Sequence, residues 1–402
     1  MKLVWPKHTS TGSVFDPATG FTLIELMIGV ALSTVVLGGL LAVYIPTIKS
    51  WNASTGLAQI HDTESLIHDI FGTSIRQAGL LACGKNSDII DGVGISALRG
   101  ETSLWALKPH EFLKTSFKAF AADKNVATVL GADVQNNRLK NNITAGNTVI
   151  GDAFFVLAPS TGFYRVDAHN ADSDNKTLIL SSRSSLDISF NAGQFFIVND
   201  CKNPVLLRSS TDAQSSYNEN KATILLNYTN QRLTAYRHPV NTVVNEFEPA
   251  IFYLRPKAGI PTLYKATIST STPLKLIHTP ILTGVENLRI EYGIANTNGD
   301  YIEKYETVSG SNGTGSSATD TLDNVLSIRI SVMIQAPGSN SVHSNMSFPN
   351  LKGEYRFCFR DGESVKEGYE DACPDFLNTL AGSSKVHKVI QFTYILPRVI
   401  SI

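Results

Sequence analysis

The residue with the most unusual chemistry in this sequence is Glu25. It closes the stretch Phe21-Thr22-Leu23-Ile24-Glu25 and directly precedes Leu26–Ile45, twenty residues without a charge. A run of that length crosses a hydrocarbon core of about 30 Å at about 1.5 Å per residue. Phe21, Leu23 and Ile24 are apolar, so the buried segment is read as starting at Phe21, with the carboxylate inside it. An ionised group there is costly unless paired, and marks a functional position. The chemistry it calls for is charge pairing: a cation must meet Glu25 inside an apolar bundle, and the helix dipole already favours an anion near the N-terminus.

Other candidates were weighed in the same terms. Four cysteines, Cys83, Cys201, Cys358 and Cys373, follow the apolar run. They lack the C-x-x-C spacing and the nearby histidine pair of a zinc site, so no metal is expected. On the far side of a membrane from the cytoplasm they would form disulfides. Four cysteines allow three pairings; a bridge from Cys358 to Cys373 would close a short loop around Asp361, Gly362 and Glu363, leaving Cys83 with Cys201. The turn Asn296-Thr297-Asn298-Gly299-Asp300 offers oxygen ligands, but the twelfth position of a calcium loop counted from Asn296 is Thr307, not an acid, so a plain hairpin turn is expected. Ala171–Asn175 is a weaker case of the same kind. His61 and His68 are read as solvated residues on a helix face. No Gly-x-Ser-x-Gly, His-Glu-x-x-His or phosphate loop is present. No catalytic residue, cofactor or small-molecule substrate is expected.

The elements that must position Glu25 follow from patterning. A cleaved secretory signal would show a shorter apolar core followed by a small-x-small site; here the chain continues Tyr44-Ile45-Pro46-Thr47-Ile48-Lys49, so a retained membrane helix is expected. Apolar residues then recur at helical spacing, Leu57, Ile60, Ile67, Phe71, Ile75 and Ala78, opposite Gln59, Asp62, Asp69 and Arg76. One helix from Phe21 to about Gly79 is predicted, with soft points at Gly38-Gly39 and Pro46. Beyond Gly84 the sequence reads as short strands between Asn, Asp, Gly and Ser turns. They are Thr148–Leu157, Thr177–Ser181, Gln194–Asn199, Pro204–Arg208, Ala222–Asn227, Ile251–Leu254, Thr262–Ala266, Leu274–Ile277, Val285–Tyr292, Tyr301–Val308, Val325–Ile334 and Val386–Leu396. A short helix is predicted at Pro109–Ala122. The class is α+β: a long N-terminal helix packed on an antiparallel sheet, with a large β-rich insert. The expected divisions are a leader at 1–20, a membrane half of the helix at 21–48, a second half at 49–82, the insert at 83–280 and a C-terminal sheet region at 281–402.

Bulk composition agrees. The 402 residues are 43% hydrophobic, which excludes a wholly disordered chain, and carry 34 Lys and Arg against 35 Asp and Glu. That balance gives no large positive field for nucleic acid.

The segment Gly20-Phe21-Thr22-Leu23-Ile24-Glu25-Leu26 resembles the processing site of type IV prepilins and type II secretion pseudopilins. The resemblance implies cleavage after Gly20 by prepilin peptidase, N-methylation of the new terminal Phe21, and a role for Glu25 in docking the helix against neighbouring subunits by pairing with the α-amino group of Phe21. Three further segments resemble PilW-type minor pilins: Ile75-Arg76-Gln77-Ala78-Gly79 with Cys83-Gly84, Phe195–Cys201, and Gly284–Gly293. This second resemblance implies a minor pilin of the type IV pilus, acting in priming, assembly or capping with other minor pilins and the major pilin, in motility, adhesion or DNA uptake. The implied location is the inner membrane, single-pass with the C-terminal part in the periplasm, and then the pilus fibre. Lys2 and Lys7 against Asp16 in the leader keep the N-terminus in the cytoplasm. The alternatives are a minor pseudopilin of a type II secretion system and a tip adhesin or DNA-binding subunit; the sequence shows no Lys/Arg stripe to support DNA.

Overall fold

The computed structural model describes residues 22–79, 90–91, 116–120, 151–170, 177–181, 189–199, 204–210, 212–214, 221–227, 242–257, 260–268, 270, 276–308, 324–335 and 387–396. The chain divides into two compact units, Met1–Ser54 and Thr55–Ile402. A single helix, α1 (Leu23–Arg76), runs through that division with Pro46 inside it. Proline lacks the N–H that would reach the carbonyl of Ala42; one residue on, the Thr47 hydroxyl donates to the Val43 carbonyl at 2.7 Å. The helix stops where Gly79 takes a left-handed φ of 74° and donates its N–H to the Leu157 carbonyl at 3.0 Å.

In the second unit the described strands, in chain order, are β1 (Ile90–Asp91), β2 (Phe117–Phe120), β3 (Ala153–Asn170), β4 (Thr177–Ser181), β5 (Ser189–Phe190), β6 (Phe195–Asn199), β7 (Val205–Ser209), β8 (Ala213–Gln214), β9 (Lys221–Asn227), β10 (Val243–Lys257), β11 (Ile260–Ile268), β12 (Leu276–Thr283), β13 (Val285–Ala295), β14 (Ile302–Thr307), β15 (Val325–Gln335) and β16 (His387–Ile395). The larger sheet has the order β12-β11-β10-β6-β7-β9-β4-β3-β2, with β1 beside β7 and an additional β10–β3 pairing. That extra pairing closes β3, β4, β9, β7, β6 and β10 into a ring of antiparallel neighbours. Its interior is a packed apolar core from all six strands, including Val166, Leu178, Ile224, Val205, Phe196 and Val244, with Phe190 of β5. Closure removes strand edges that would otherwise stay open.

Two strands leave the ring. β3 and β10 are long because each serves two layers: beyond the ring they pair with each other from Phe154↔Phe252 onward and carry β2 on one side and β11 and β12 on the other. Their outer ends and the separate sheet β14-β13-β15-β16 share one core with the second half of α1. Ile60, Ile67, Phe71, Ile75 and Ala78 bury there against Phe154, Phe252, Leu288, Ile330 and Ile390, among others. Phe71 meets Phe154 and Phe252 edge to face, at 5.1 and 5.5 Å between centroids, a favoured aromatic geometry. The last strand clasps the helix: Lys388 meets Glu64 at 2.6 Å, and the Tyr394 hydroxyl donates to the His68 carbonyl at 3.4 Å.

Two glycines weld the sheets. Gly284 has a φ of 85°, donates to the Pro261 carbonyl at 2.8 Å and accepts from the Gln335 N–H at 2.7 Å, so it bonds to both sheets at once. A Cβ there would stand 2.7 Å from the Gln335 carbonyl oxygen. Gly151, with a φ of 75°, precedes the buried Asp152, whose N–H donates to the Leu288 carbonyl at 2.7 Å and whose Oδ2 accepts from the Ile290 N–H at 2.8 Å. Asp152 thereby satisfies backbone groups at the irregular start of β13, where the register shifts between Val285 and Asn287.

Several expectations need correction. The helix predicted at Pro109–Ala122 is not formed where it can be seen: Phe117–Phe120 is a strand with alternating burial, pairing Phe117↔Val156 and Ala119↔Phe154. Its Ala119 N–H donates to the buried Tyr292 hydroxyl at 2.8 Å. Period-two burial against β3 outweighs any helical preference there. Leu57, assigned to the buried face, is exposed, while Gly56 is buried in its place. The strand predicted at Thr148–Leu157 meets only the first residues of β3, which runs on to Asn170, and Ile251–Leu254 lies inside the much longer β10.

Candidate functional site at the apolar end of the helix

Thr22 stands just ahead of α1 and Glu25 lies in its first turn. The Thr22 N–H and hydroxyl both donate to Glu25 Oε2, at 3.0 and 2.9 Å, and the Glu25 N–H reaches the Thr22 Oγ1 at 3.3 Å. This is a capping box, in which cap and third residue satisfy each other's free donors. The Thr-x-x-Glu spacing is visible in the sequence, yet Glu25 is read from it only as a charge-pairing group, with no bond to Thr22. Both bonds to the carboxylate fall on one oxygen, Oε2. Among the described residues Oε1 accepts no hydrogen bond, and the carboxylate is oriented by its own helix through Oε2.

From Leu23 to Ile48 the helix is apolar on every side and none of it is buried. A helix apolar all round belongs in a bilayer or a bundle. At 26 residues it is long enough and apolar enough to cross a membrane. Its few hydroxyls are spent internally: Ser33 donates to the Gly29 carbonyl at 2.7 Å and Thr34 to the Ala31 carbonyl at 2.8 Å. The Ser33, Thr34 and Thr47 hydroxyls therefore need no partner in an apolar setting, and the Tyr44 hydroxyl lies near the far end of the stretch. At Gly29, Gly38 and Gly39 a Cβ would meet nothing within 4 Å, so their surfaces are open to close approach by another helix.

The other predicted sites fare differently. Gly20 and Phe21 lie outside the described residues, as do Cys83, Cys201, Cys358, Cys373 and the Ala171–Asn175 segment. The Asn296–Asp300 segment is a hairpin turn between β13 and β14: Asn296 Oδ1 accepts from the Asp300 N–H at 2.8 Å, and its carbonyl from the Gly299 N–H at 3.0 Å. Among the described residues no group of three or more His, Cys, Asp or Glu is arranged to hold a metal ion. His61 is exposed beside Glu64 at 3.3 Å, and His68 packs against Phe392 with 5.3 Å between ring centroids. His68 is thus a packing residue as well as a surface one.

A capped, all-round apolar helix start whose continuation is one-faced and buried under antiparallel sheets is the arrangement expected of a pilin-like protein. Comparison with known families agrees at both ends of the chain. Residues 17–41 match the prokaryotic N-terminal methylation motif, and residues 251–362 match PilW, the type IV pilus-assembly protein W. The two matches are consistent with a PilW-type pilin related to the type IV pilus, and the first, with the apolar helix, suggests membrane anchoring at the N-terminus. No curated protein and no solved structure matches the chain significantly.

Proposed function

We propose that the chain is made as a prepilin, cut by prepilin peptidase after Gly20, N-methylated at Phe21, and held in the inner membrane with the residues after the apolar run in the periplasm. From there it enters a type IV pilus as a minor subunit, where it takes part in priming, assembly or capping alongside other minor pilins and the major pilin. It is a structural subunit rather than an enzyme.

The observation that supports this most is the unburied apolar helix Leu23–Ile48, charge-free from Leu26 onward and headed by the Thr22–Glu25 box. Outside the bilayer such a surface must be covered by other helices. Glu25 would then lie in a low-dielectric bundle, and its carboxylate would take the α-amino group of Phe21 from a neighbouring subunit. Removing one partner of a buried ion pair costs about 3–5 kcal/mol, enough to fix axial register. The cysteines complete the proposal as two periplasmic disulfides, Cys358–Cys373 and Cys83–Cys201; non-reducing peptide mapping that finds a free thiol at any of them contradicts this part.

The test separates processing from docking. Gly20→Ala should leave the uncut precursor in the membrane. Glu25→Gln should be cut normally yet fail to restore pili in cells lacking the chain. Normal piliation with Glu25→Gln contradicts the pairing role.

A further inference from the structure

The apolar stretch is longer than it needs to be. Leu23–Ile48 is 26 residues, about 39 Å of helix against a hydrocarbon core of about 30 Å. The excess leaves the depth of the helix undetermined by apolarity alone: it could slide, or tilt to absorb the difference. Something at its ends must choose the position. The sequence places Trp51 one turn beyond the apolar stretch and Tyr44 seven residues earlier. Seven residues return to nearly the same side of a helix, so the two aromatic side chains share a face. Both are exposed, Tyr44 at 62% and Trp51 at 71%.

We infer that Trp51, with Tyr44, is a bilayer-interface anchor that fixes the depth of the helix and thereby parks Glu25 in the opposite interfacial zone while the subunit waits in the membrane. The inference rests on the membrane-held stage proposed above. Amphipathic indole and phenol rings settle at the headgroup level, with their apolar bodies inward and their polar atoms in reach of water. From Trp51 to Glu25 is 26 residues, again about 39 Å. That matches the separation of the two interfacial zones in a bilayer about 40–45 Å thick including headgroups. With the indole at the outer interface, Tyr44 lies about 10 Å further in, at the margin of the hydrocarbon. At the other end, the Thr22–Glu25 box stands among headgroups instead of inside the core. The carboxylate then avoids the cost of an unpaired charge in hydrocarbon until the helix is drawn out and a neighbour's amine replaces the headgroup zone. One surface thus serves storage and the other end serves assembly.

The experiment uses the full chain with Trp5→Phe and Trp105→Phe, leaving Trp51 as its sole tryptophan, in phosphatidylethanolamine–phosphatidylglycerol vesicles whose acyl chains carry bromine either near the carbonyls or near the midplane. Shallow bromines should quench Trp51 about twofold or more over deep ones, as an interfacial indole requires. Equal quenching, stronger quenching by deep bromines, or none, as for an indole in water, overturns the anchor. Cleavage after Gly20 is read separately by intact mass in cells. Shallow quenching without cleavage upholds the anchor and removes the processing step. Cleavage without quenching removes the anchor and leaves the pilin reading intact.

Discussion

The two halves of α1 are built from similar residue types in different patterns. In Leu23–Ile48 apolar residues fill every side, and none of them is buried. From Gly56 to Gly79 they hold one stripe, and Ile60, Ile67, Phe71 and Ile75 are fully buried while Gln59, Asp62, Asp69 and Arg76 face outward. The comparison separates two ways of stabilising a helix. The second half is held by tertiary packing supplied by its own chain. The first half relies on helical backbone bonds and on the Ser33, Thr34 and Thr47 hydroxyls, and its apolar side chains await lipid or other helices.

The largest test of that contrast is a pair of truncations. Phe71→Ala should cost the folded head about 3–5 kcal/mol, read by denaturant unfolding of the detergent-solubilised protein. Leu41→Ala, on the exposed half, should leave the same transition unchanged within about 0.5 kcal/mol. Equal effects would break the comparison. Next come two glycines. Gly284→Ala meets both a left-handed backbone and the Gln335 carbonyl, and the backbone strain alone is worth about 1–3 kcal/mol. Gly38→Ala finds open space and should raise helix content, by about 1 kcal/mol of propensity; circular dichroism in detergent reads this. Smaller again is the cap. Thr22→Ala should cost about 1 kcal/mol, seen as faster amide exchange in the first turn with no change in the head. Glu64→Gln, which removes the partly exposed pair with Lys388, should cost the head less than about 1 kcal/mol.

The contrast also has a pH signature, absent at neutral pH. Burial holds the Tyr394 and Tyr253 hydroxyls well above the ordinary phenol range. A group whose folded pKa is raised contributes stability that is intact below its unfolded value, near 10 for tyrosine, and lost as pH rises beyond it. The head should therefore weaken above about pH 10, in unfolding curves measured from neutral to alkaline buffer, and Tyr394→Phe should flatten that loss.

Most of this architecture was legible in sequence because its signals are local. The charge-free run, the helical stripe from Ile60 to Ala78 and strands such as Thr177–Ser181 and Val325–Gln335 announce themselves by period. What escaped was non-local. The closed ring depends on β10 pairing with both β3 and β6, and no window of sequence contains that pairing. The same cause hid the true lengths of β3 and β10, whose ends look like turns until a second sheet needs them. Phe117–Phe120 was read as helix because a short apolar run carries no decisive period. The Gly151-Asp152 weld had a signal, a glycine and an acid before an apolar run, but only its partners on β13 give it meaning. At the candidate site, Glu25 is identified from the cost of a charge in an apolar segment; its bond to Thr22 was signalled by the Thr-x-x-Glu spacing but not drawn from it.

The central claim is that this apolar half is an assembly handle exposed by processing at Gly20. The intact mass of the chain purified from pilus-forming cells tests it most directly. The account predicts a protein that begins at Phe21 and carries one added methyl group. A full-length precursor, or a chain cut anywhere else, would contradict it.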